Sequence, residues 1–391
     1  MTVDAQRDGI DALRGLAVTG VWCAHLFAYH AVEVPMLGHL GGLLGVQLFF
    51  VVSGFLIVDS AQRYPLRTYA IRRALRIFPA YWAVVLAASL LTGRLADGQV
   101  AAHPLAFVVN LLALSHWMPL AYRTFDVTTV SWTLTVELAW YALAPVLVWL
   151  AARTPVGSAA APGPAIGTAD PRGPGHAATD RRWWAIGVLT LAGSSAWVLA
   201  AQSGRLDPLF AAQIAAIGTD PIDGFARFAY IVNAAPAHLA FFVAGALILR
   251  HRDRCARLPA WLLAVPIVVF VPLADRWNGW LGLSPSFASG IGLGALFVWL
   301  GLTPVQTRLR ALLHRLMAPV GRVSYPVYLV HVPLLHAVFP PLRDRLGAPG
   351  WACAIITAAV TLGLSALVNR LVEEPGIALG RRLTPTPPRH A

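Results

Sequence analysis

The sequence of 391 residues contains no lysine, and only 12% of its residues are charged. With 57% hydrophobic residues and a mean hydropathy of +0.64, it is far more apolar than an ordinary soluble domain. This composition excludes a soluble globular protein and indicates a polytopic membrane protein. Cysteine is also scarce, and the wide spacing of Cys23, Cys255 and Cys353 predicts neither a disulfide framework nor a metal site.

Ten apolar segments have the length and hydropathy of membrane-crossing helices. They lie at 12–32, 41–60, 78–92, 135–152, 183–201, 228–249, 259–274, 286–302, 322–340 and 351–371. The sequence therefore predicts an all-α fold, a polytopic membrane helical bundle of about ten transmembrane helices. Residues 1–380 form one membrane domain in this interpretation, and residues 381–391 form a cytoplasmic tail. The first segment is expected to be a retained helix, because no basic start or small-residue cleavage pattern accompanies it.

Two further stretches depart from this pattern. Segment 104–118 is apolar but short, and we expect it to be re-entrant or interfacial. Residues 153–182 are rich in Pro, Gly and Ala and contain few large apolar residues. Such a composition predicts a disordered cytoplasmic linker within the membrane domain.

Arginine supplies all 30 basic residues of the chain, whose formal net charge is +12. With ten helices and a cytoplasmic N-terminus, 23 arginines fall on the cytoplasmic side and seven on the outside, in agreement with the positive-inside rule. If segment 104–118 also crossed, the later arginine-rich segments would face the wrong side. We therefore predict a protein integral to the cytoplasmic membrane with both termini in the cytoplasm. Topology accounts for most of the positive charge, so no nucleic-acid partner is expected.

Arg14 and His25 lie eleven residues apart in the first apolar segment. At about 100° and 1.5 Å per residue, both side chains project from one stripe of a helix, separated by about 16 Å along its axis. An ionisable group near the middle of a bilayer is costly and usually faces a cavity. The stripe therefore predicts a functional site. The alternative is an arginine that reaches the headgroups and a histidine bonded between helices.

The stretch RRALRIFPAYW carries Arg72, Arg73 and Arg76 at the start of the third segment. Arg73 and Arg76 are three residues apart and share a helical face. Guanidinium groups bind phosphate through paired hydrogen bonds, so this cluster is a candidate phosphate site. The alternative is a basic loop that only sets the topology.

Four more candidates lie in other apolar segments. Glu137 follows Trp132 in VSWTLTVELAWYALAP, and an intramembrane carboxylate is either functional or the buried partner of an arginine. His331 lies in VSYPVYLVHVPLL, where a purely structural histidine is the alternative. Ser53 precedes a glycine in FFVVSGFLI, which predicts close helix packing around the site.

In their order and spacing, these stretches resemble the acyltransferase-3 family of integral membrane acyltransferases across nearly the whole chain. The resemblance is carried by DALRGLAV followed by His25, FFVVSGFLI, RRALRIFPAYW, SWTLTVELAWY, SYPVYLVHVPL and the EEP at 373–375. It implies a ten-helix domain that transfers an acyl group, commonly acetyl from acetyl-CoA, to a hydroxyl of a glycan or glycosylated small molecule. It also implies that Arg14, His25, Arg73 and Arg76 match positions held to be important for activity.

The resemblance gives the candidate residues expected roles. Acetyl-CoA or another acyl-CoA is the expected co-substrate, its phosphates bound by Arg72, Arg73 and Arg76. Arg14 is expected to clamp the anionic donor, and His25 to act as general base on the acceptor hydroxyl. Transient acylation of His25 is the alternative to direct transfer. Glu137 is expected to orient His25 or the acceptor. Ser53, Trp132 and His331 are further candidates around the site, and no metal is expected.

Two other classes of function fit parts of the pattern. A transporter of an acylated or anionic solute would also hold intramembrane Arg, His and Glu, but inverted repeats or paired broken helices are expected there, and the sequence shows none. A non-catalytic scaffold for envelope-polysaccharide assembly would tolerate the loss of His25. The predicted partners of the enzyme are the acyl donor, the glycan or glycosylated acceptor and the lipid bilayer.

Overall fold

The computed structural model describes residues 3–95, 97–152, 174–218, 222, 226–272, 287–304 and 307–384, and this part of the chain is helical and contains no strand. Its α-helices, numbered in chain order, are α1 Val3–His30, α2 Leu37–Arg63, α3 Leu66–Leu91, α4 Gln99–Ala102, α5 Pro104–Leu111, α6 Pro119–Phe125, α7 Ser131–Ala152, α8 Pro174–Gln202, α9 Asp207–Ala215, α10 Ala235–Arg250, α11 Arg252–Cys255, α12 Ala260–Phe270, α13 Phe287–Phe297, α14 Arg308–Arg322, α15 Ser324–Pro340, α16 Gly350–Val368 and α17 Glu374–Leu383. A 3₁₀ turn lies at Ser115–Trp117, and π-helical turns lie at Arg227–Val232, Val298–Leu302, Pro341–Arg345 and Asn369–Glu373. The predicted all-α class is confirmed for the described residues.

Several of these helices are suited to a membrane. Five are long and apolar enough to cross one, namely Leu37–Arg63, Leu66–Leu91, Ser131–Ala152, Ala177–Gln202 and Gly350–Leu383. The pair Arg308–Arg322 and Ser324–Arg345, bent by 73°, adds a sixth if it forms one span. Shorter apolar helices at Ala235–Arg250, Ala260–Phe270 and Phe287–Leu302 coincide with three more of the apolar segments. The bundle of membrane-capable helices is confirmed, and the number of about ten crossings stays a prediction.

Helix α1 is surrounded by α2, α14 and α15. Its backbone approaches α2 closely, because a Cβ on Gly41 would overlap the carbonyl oxygen of Gly20. On another face, a Cβ on Gly321 of α14 would overlap the carbonyl oxygen of Asp11. Small residues permit such backbone contact between membrane helices. The Arg14 and His25 stripe is thereby enclosed by neighbouring helices.

The close packing predicted for FFVVSGFLI is observed between α2 and α10. A Cβ on Gly54 would overlap the carbonyl oxygen of Phe242. One turn away, the ring of Phe50 stacks on that of Phe242 with centroids 4.6 Å apart, and Trp140 of α7 lies on the same ring at 5.1 Å. This aromatic core holds α2 and α7 together, and both helices carry candidate site residues.

The structure differs from the sequence-based boundaries in two places. Residues 153–173 of the expected linker lie outside the described residues, whereas residues 174–182 already belong to α8. Asp180 in that stretch accepts a hydrogen bond from Arg250 Nε at 2.6 Å, and this ion pair ties the start of α8 to the end of α10. Similarly, the first residues of the expected tail complete α17, which ends at Leu383.

Segment 104–118 contains α5 and the 3₁₀ turn at Ser115–Trp117, with a break between them. The eight residues of α5 are about 12 Å long. A hydrocarbon layer is about 30 Å thick, so this helix is too short to cross it alone. That length supports the prediction of a re-entrant or interfacial segment.

Candidate active site

Two connected cavities lie among α1, α2, α3, α7, α15 and the π-helical turn Asn369–Glu373. The inner cavity has a volume of about 100 Å³, and its polar lining consists of Arg14, Ser53, Arg73, Arg76, Thr133, Glu137, Tyr141, Ser324, Tyr325 and Tyr328. The outer cavity, called the vestibule below, has a volume of about 610 Å³ and a strongly charged lining. Arg14, Leu56 and Arg76 belong to both linings, so the two cavities meet at these three residues.

Seven arginines and four carboxylates line the vestibule. The arginines are Arg7, Arg14, Arg63, Arg76, Arg252, Arg322 and Arg381, and the acidic residues are Asp11, Asp59, Glu373 and Glu374. All seven arginines are among those that the positive-inside count assigned to the cytoplasmic side. A separate cavity of about 410 Å³ contains Arg94 and Arg123, both assigned to the outside. The two sets of arginines therefore line different cavities, and the orientation of the chain in the membrane stays a prediction.

Arg14 and Arg76 lie where the two cavities meet. Arg14 has one ion-pair partner, Asp11, at 3.8 Å from its Nη1. Arg76 makes no hydrogen bond to any residue that the structure describes. The buried carboxyl of Glu373 lies close enough to interact electrostatically with both guanidinium groups. Both cations keep donor groups available for an anionic ligand.

Arg73 lines the inner cavity but is held by the protein. Its Nη2 donates to the carbonyl oxygen of Leu56 at 3.2 Å. The guanidinium also lies over the rings of Tyr141 and Tyr69, at 5.5 and 5.9 Å from their centroids. These contacts fix Arg73 in the cavity wall, with only part of its donor set free for a ligand.

Glu137 also lines the inner cavity. Its Oε1 accepts a hydrogen bond from Ser53 Oγ at 2.8 Å and another from the hydroxyl of Tyr141 at 3.2 Å. The structure thus joins Glu137 and Ser53, which the sequence offered as separate candidates. Within the described residues the carboxylate of Glu137 is not bonded to His25, so an orienting role toward His25 has no support in this arrangement.

His25 is instead paired with His331. Nδ1 of His25 lies 2.9 Å from Nε2 of His331. Nδ1 of His331 lies 2.8 and 3.1 Å from the carbonyl oxygens of Tyr328 and Val327, so it must carry the proton and donate. In the neutral pair, Nε2 of His331 therefore accepts from Nδ1 of His25. The lone pair of His25 is then on its Nε2, as a general base requires.

Tyr328 connects this pair to the inner cavity. Its ring lines the cavity and lies 5.7 Å from the ring of His331, and its hydroxyl is 2.7 Å from Oγ1 of Thr133. Tyr328 is one helical turn before His331, and Thr133 is one turn before Glu137. Sequence reasoning made neither residue a site candidate, although a spacing of three or four residues places Tyr328 on the helical face of His331 and Thr133 on that of Glu137.

Two other candidates lie elsewhere. Arg72 lines neither cavity, because its Nε and Nη2 donate to Oγ1 and the carbonyl oxygen of Thr384 at 2.8 and 2.6 Å. Its guanidinium also lies 4.3 Å from the ring centroid of Tyr64, so the geometry assigns it to holding the end of α17. Trp132 lies between the buried rings of His116 and His238, at 6.2 and 5.6 Å, away from the cavity lining. In the described part of the chain, no group of three or more His, Cys, Asp or Glu could hold a metal ion.

Comparisons with known proteins place this chain in a family. The family model Acyl_transf_3, described as an acyltransferase domain, matches residues 7–370. Nodulation protein 10 from Rhizobium leguminosarum bv. viciae is 25% identical over 402 residues, covering 95% of this chain and 94% of that protein. Acyltransferase MdmB from Streptomyces mycarofaciens is 28% identical over 157 residues, covering 38% of this chain and 40% of that protein. A putative O-acetyltransferase of Staphylococcus aureus (strain COL) is 27% identical over 154 residues, covering 36% of this chain and 24% of that protein. No solved structure matches the chain.

Proposed function

Because this chain belongs to the acyltransferase-3 family and is an acyl-transferring enzyme, we propose that it moves an acyl group from acyl-CoA to a hydroxyl of a glycan or glycosylated small molecule. The acyl group in this proposal is acetyl, as in O-acetylation of carbohydrates of the cell envelope. The enzyme would lie in the cytoplasmic membrane, with the vestibule and both termini facing the cytoplasm.

The observation that carries the proposal is the meeting of two cavities at Arg14 and Arg76. The vestibule has a volume typical of ligand pockets and an excess of arginine over carboxylate, which suits the phosphates of coenzyme A. The inner cavity is smaller and extends from Arg14 and Arg76 to Tyr328, beside the histidine pair. A donor bound with its nucleotide in the vestibule would direct its thioester arm toward that pair.

The chemical step follows from the tautomer of the pair. Nε2 of His25 takes the proton of the acceptor hydroxyl while the hydroxyl oxygen attacks the thioester carbonyl carbon. The carbon–sulfur bond then breaks, and its electron pair leaves with the sulfur. The thiolate takes the proton from His25, which gives the O-acyl ester and free coenzyme A. His331 positions His25 throughout through its bond to Nδ1.

Radiolabelled acetyl-CoA tests the reaction directly. The purified protein in lipid nanodiscs would be incubated with it and with an extract of envelope glycans and glycolipids from a host strain that lacks this gene. We expect label in a base-labile ester, identified by mass spectrometry, with His25→Ala as the inactive comparison. Label recovered on the protein itself would indicate an acylated His25 in place of direct transfer. If no acyl group is transferred and an unmodified solute crosses the membrane of vesicles that contain the protein, the protein is a transporter and the proposed activity is wrong.

A further inference from the structure

The two ring nitrogens of His25 have different surroundings. Nδ1 is hydrogen-bonded to His331, whereas Nε2 has no hydrogen-bond partner among the described residues. Nε2 is not completely buried, because it is absent from the buried polar atoms that lack a partner. His25 itself is partly exposed and belongs to the lining of neither donor cavity. The basic nitrogen therefore has access from a direction other than the vestibule.

Tyr29 contacts His25 on that other side, and Thr129 and His336 contact Tyr29. We call these three side chains the outer mouth. Tyr29 stacks on His25 with ring centroids 5.7 Å apart and planes 13° apart, and it is 39% exposed. The ring of His336 lies 4.6 Å from that of Tyr29. Tyr29 is fifteen residues after Arg14 on α1, about 23 Å along the axis. The outer mouth is therefore at the end of α1 opposite the vestibule.

Thr129 is held at the mouth in a conformation that threonine rarely adopts. Its φ is 55°, in the left-handed region that is unfavourable for a β-branched residue. The buried carboxylate of Asp126 maintains this turn by accepting hydrogen bonds from the backbone and hydroxyl groups of Thr128 and Ser131 and from the backbone of Thr129. In addition, Tyr122 donates to the Thr129 carbonyl oxygen at 2.6 Å. The Thr129 hydroxyl is thereby placed 3.3 Å from that of Tyr29.

We propose that the outer mouth is the acceptor subsite and that it takes an uncharged sugar ring whose hydroxyl reaches Nε2 of His25. This inference rests on the proposed function and adds the place and chemical class of the acceptor. The mouth offers an exposed aromatic face, two hydroxyls and an imidazole, which suit a neutral polyhydroxyl ligand. None of its three side chains is a carboxylate or guanidinium, in contrast to the seven arginines of the vestibule. Donor and acceptor would then approach His25 from opposite ends of α1.

Cysteine modification tests this assignment. In a background with Cys23, Cys255 and Cys353 replaced by alanine, Thr129→Cys would be treated in intact cells with a membrane-impermeant maleimide carrying a polyethylene glycol chain. We expect labelling from outside, loss of acetyl transfer to the envelope extract and unchanged calorimetric affinity for acetyl-CoA. The matched control is Trp351→Cys, at an exposed aromatic of α16 that is 67% accessible. We expect this control to be labelled with no loss of transfer.

Two substitutions in the otherwise unaltered protein cover the case in which the cysteine variant does not fold. Thr129→Gly permits the positive φ and removes the hydroxyl, and Tyr29→Ala removes the stacking face. Each substitution is expected to lower the rate of acyl transfer by about tenfold at subsaturating acceptor, because the acceptor loses one hydrogen bond or one aromatic contact. Full transfer after modification of Thr129→Cys, or full transfer by both substitutions, would overturn the acceptor subsite and leave the proposed function standing. A parent protein that binds acetyl-CoA and transfers nothing would overturn both.

Discussion

Arg76→Ala is expected to weaken acyl-CoA binding without unfolding the protein. The Arg76 guanidinium lines both cavities and makes no hydrogen bond to a described residue. The charge of Arg14 still offsets that of the buried Glu373 after the substitution, so we expect the protein to stay folded. A charge-assisted hydrogen bond to a phosphate contributes about 1.5–3 kcal/mol. The loss of one such bond corresponds to a Kd raised by about ten- to hundredfold. Arg76→Lys should recover part of the affinity, because lysine keeps the charge and loses the paired geometry.

Arg72→Ala is the matched control, since Arg72 is the same residue type one turn earlier on α3. Its guanidinium is bonded to Thr384 and lies over Tyr64, outside both cavities. Its removal should lower the melting temperature by releasing the end of α17, with the affinity for acetyl-CoA unchanged. Calorimetry and thermal unfolding on the same purified variants separate the two effects. Wild-type affinity in Arg76→Ala, or an equal loss in Arg72→Ala, would refute the donor assignment.

Two further predictions concern packing and topology. Gly54→Ala should destabilise the protein by about 1–3 kcal/mol, because the added methyl overlaps the Phe242 carbonyl. The control is Gly193→Ala, where no atom lies within 4 Å of the added Cβ, and this variant should not have a lower melting temperature. Single cysteines beside Arg73, Arg182, Arg254 and Arg315 should react only after the membrane is permeabilised, because the arginine distribution predicts that these residues face the cytoplasm. Labelling of residues 153–182 from outside intact cells would contradict the ten-helix topology.

Much of the architecture was predictable because it depends on local sequence. Apolar length located the helices, and a spacing of eleven residues placed Arg14 and His25 on one stripe. The Ser53–Gly54 packing followed from the tolerance of small residues at helix contacts. Residues 308–322 fall outside the apolar segments, apart from residue 322, yet they form α14 against α1. Its charged residues concealed an amphipathic helix, which a hydropathy criterion for spanning segments does not detect.

The candidate site was predictable as a set of residues but not as a set of contacts. Sequence reasoning named His25, His331, Ser53 and Glu137, yet it did not pair His25 with His331, which is 306 residues away. It also grouped Arg72 with the donor arginines, whereas Arg72 is bonded to the end of α17. Consecutive positions point about 100° apart, and tertiary packing decides which one faces a cavity. Such long-range pairings depend on the packing of α1 against α15, and no local sequence pattern predicts that packing.

The central claim is that Nε2 of His25 is the base that accepts the hydroxyl proton, and single-turnover acyl transfer by His25→Ala tests it most directly. Positioned proton transfer contributes about 10²–10⁴-fold to rate. We therefore predict that His25→Ala loses transfer by that factor while the protein stays folded and its acetyl-CoA affinity keeps the wild-type value. His39→Ala, at a histidine of α2 whose side chain is 60% exposed, is the control and should transfer normally. A well-folded His25→Ala protein that transfers at the wild-type rate would contradict the account.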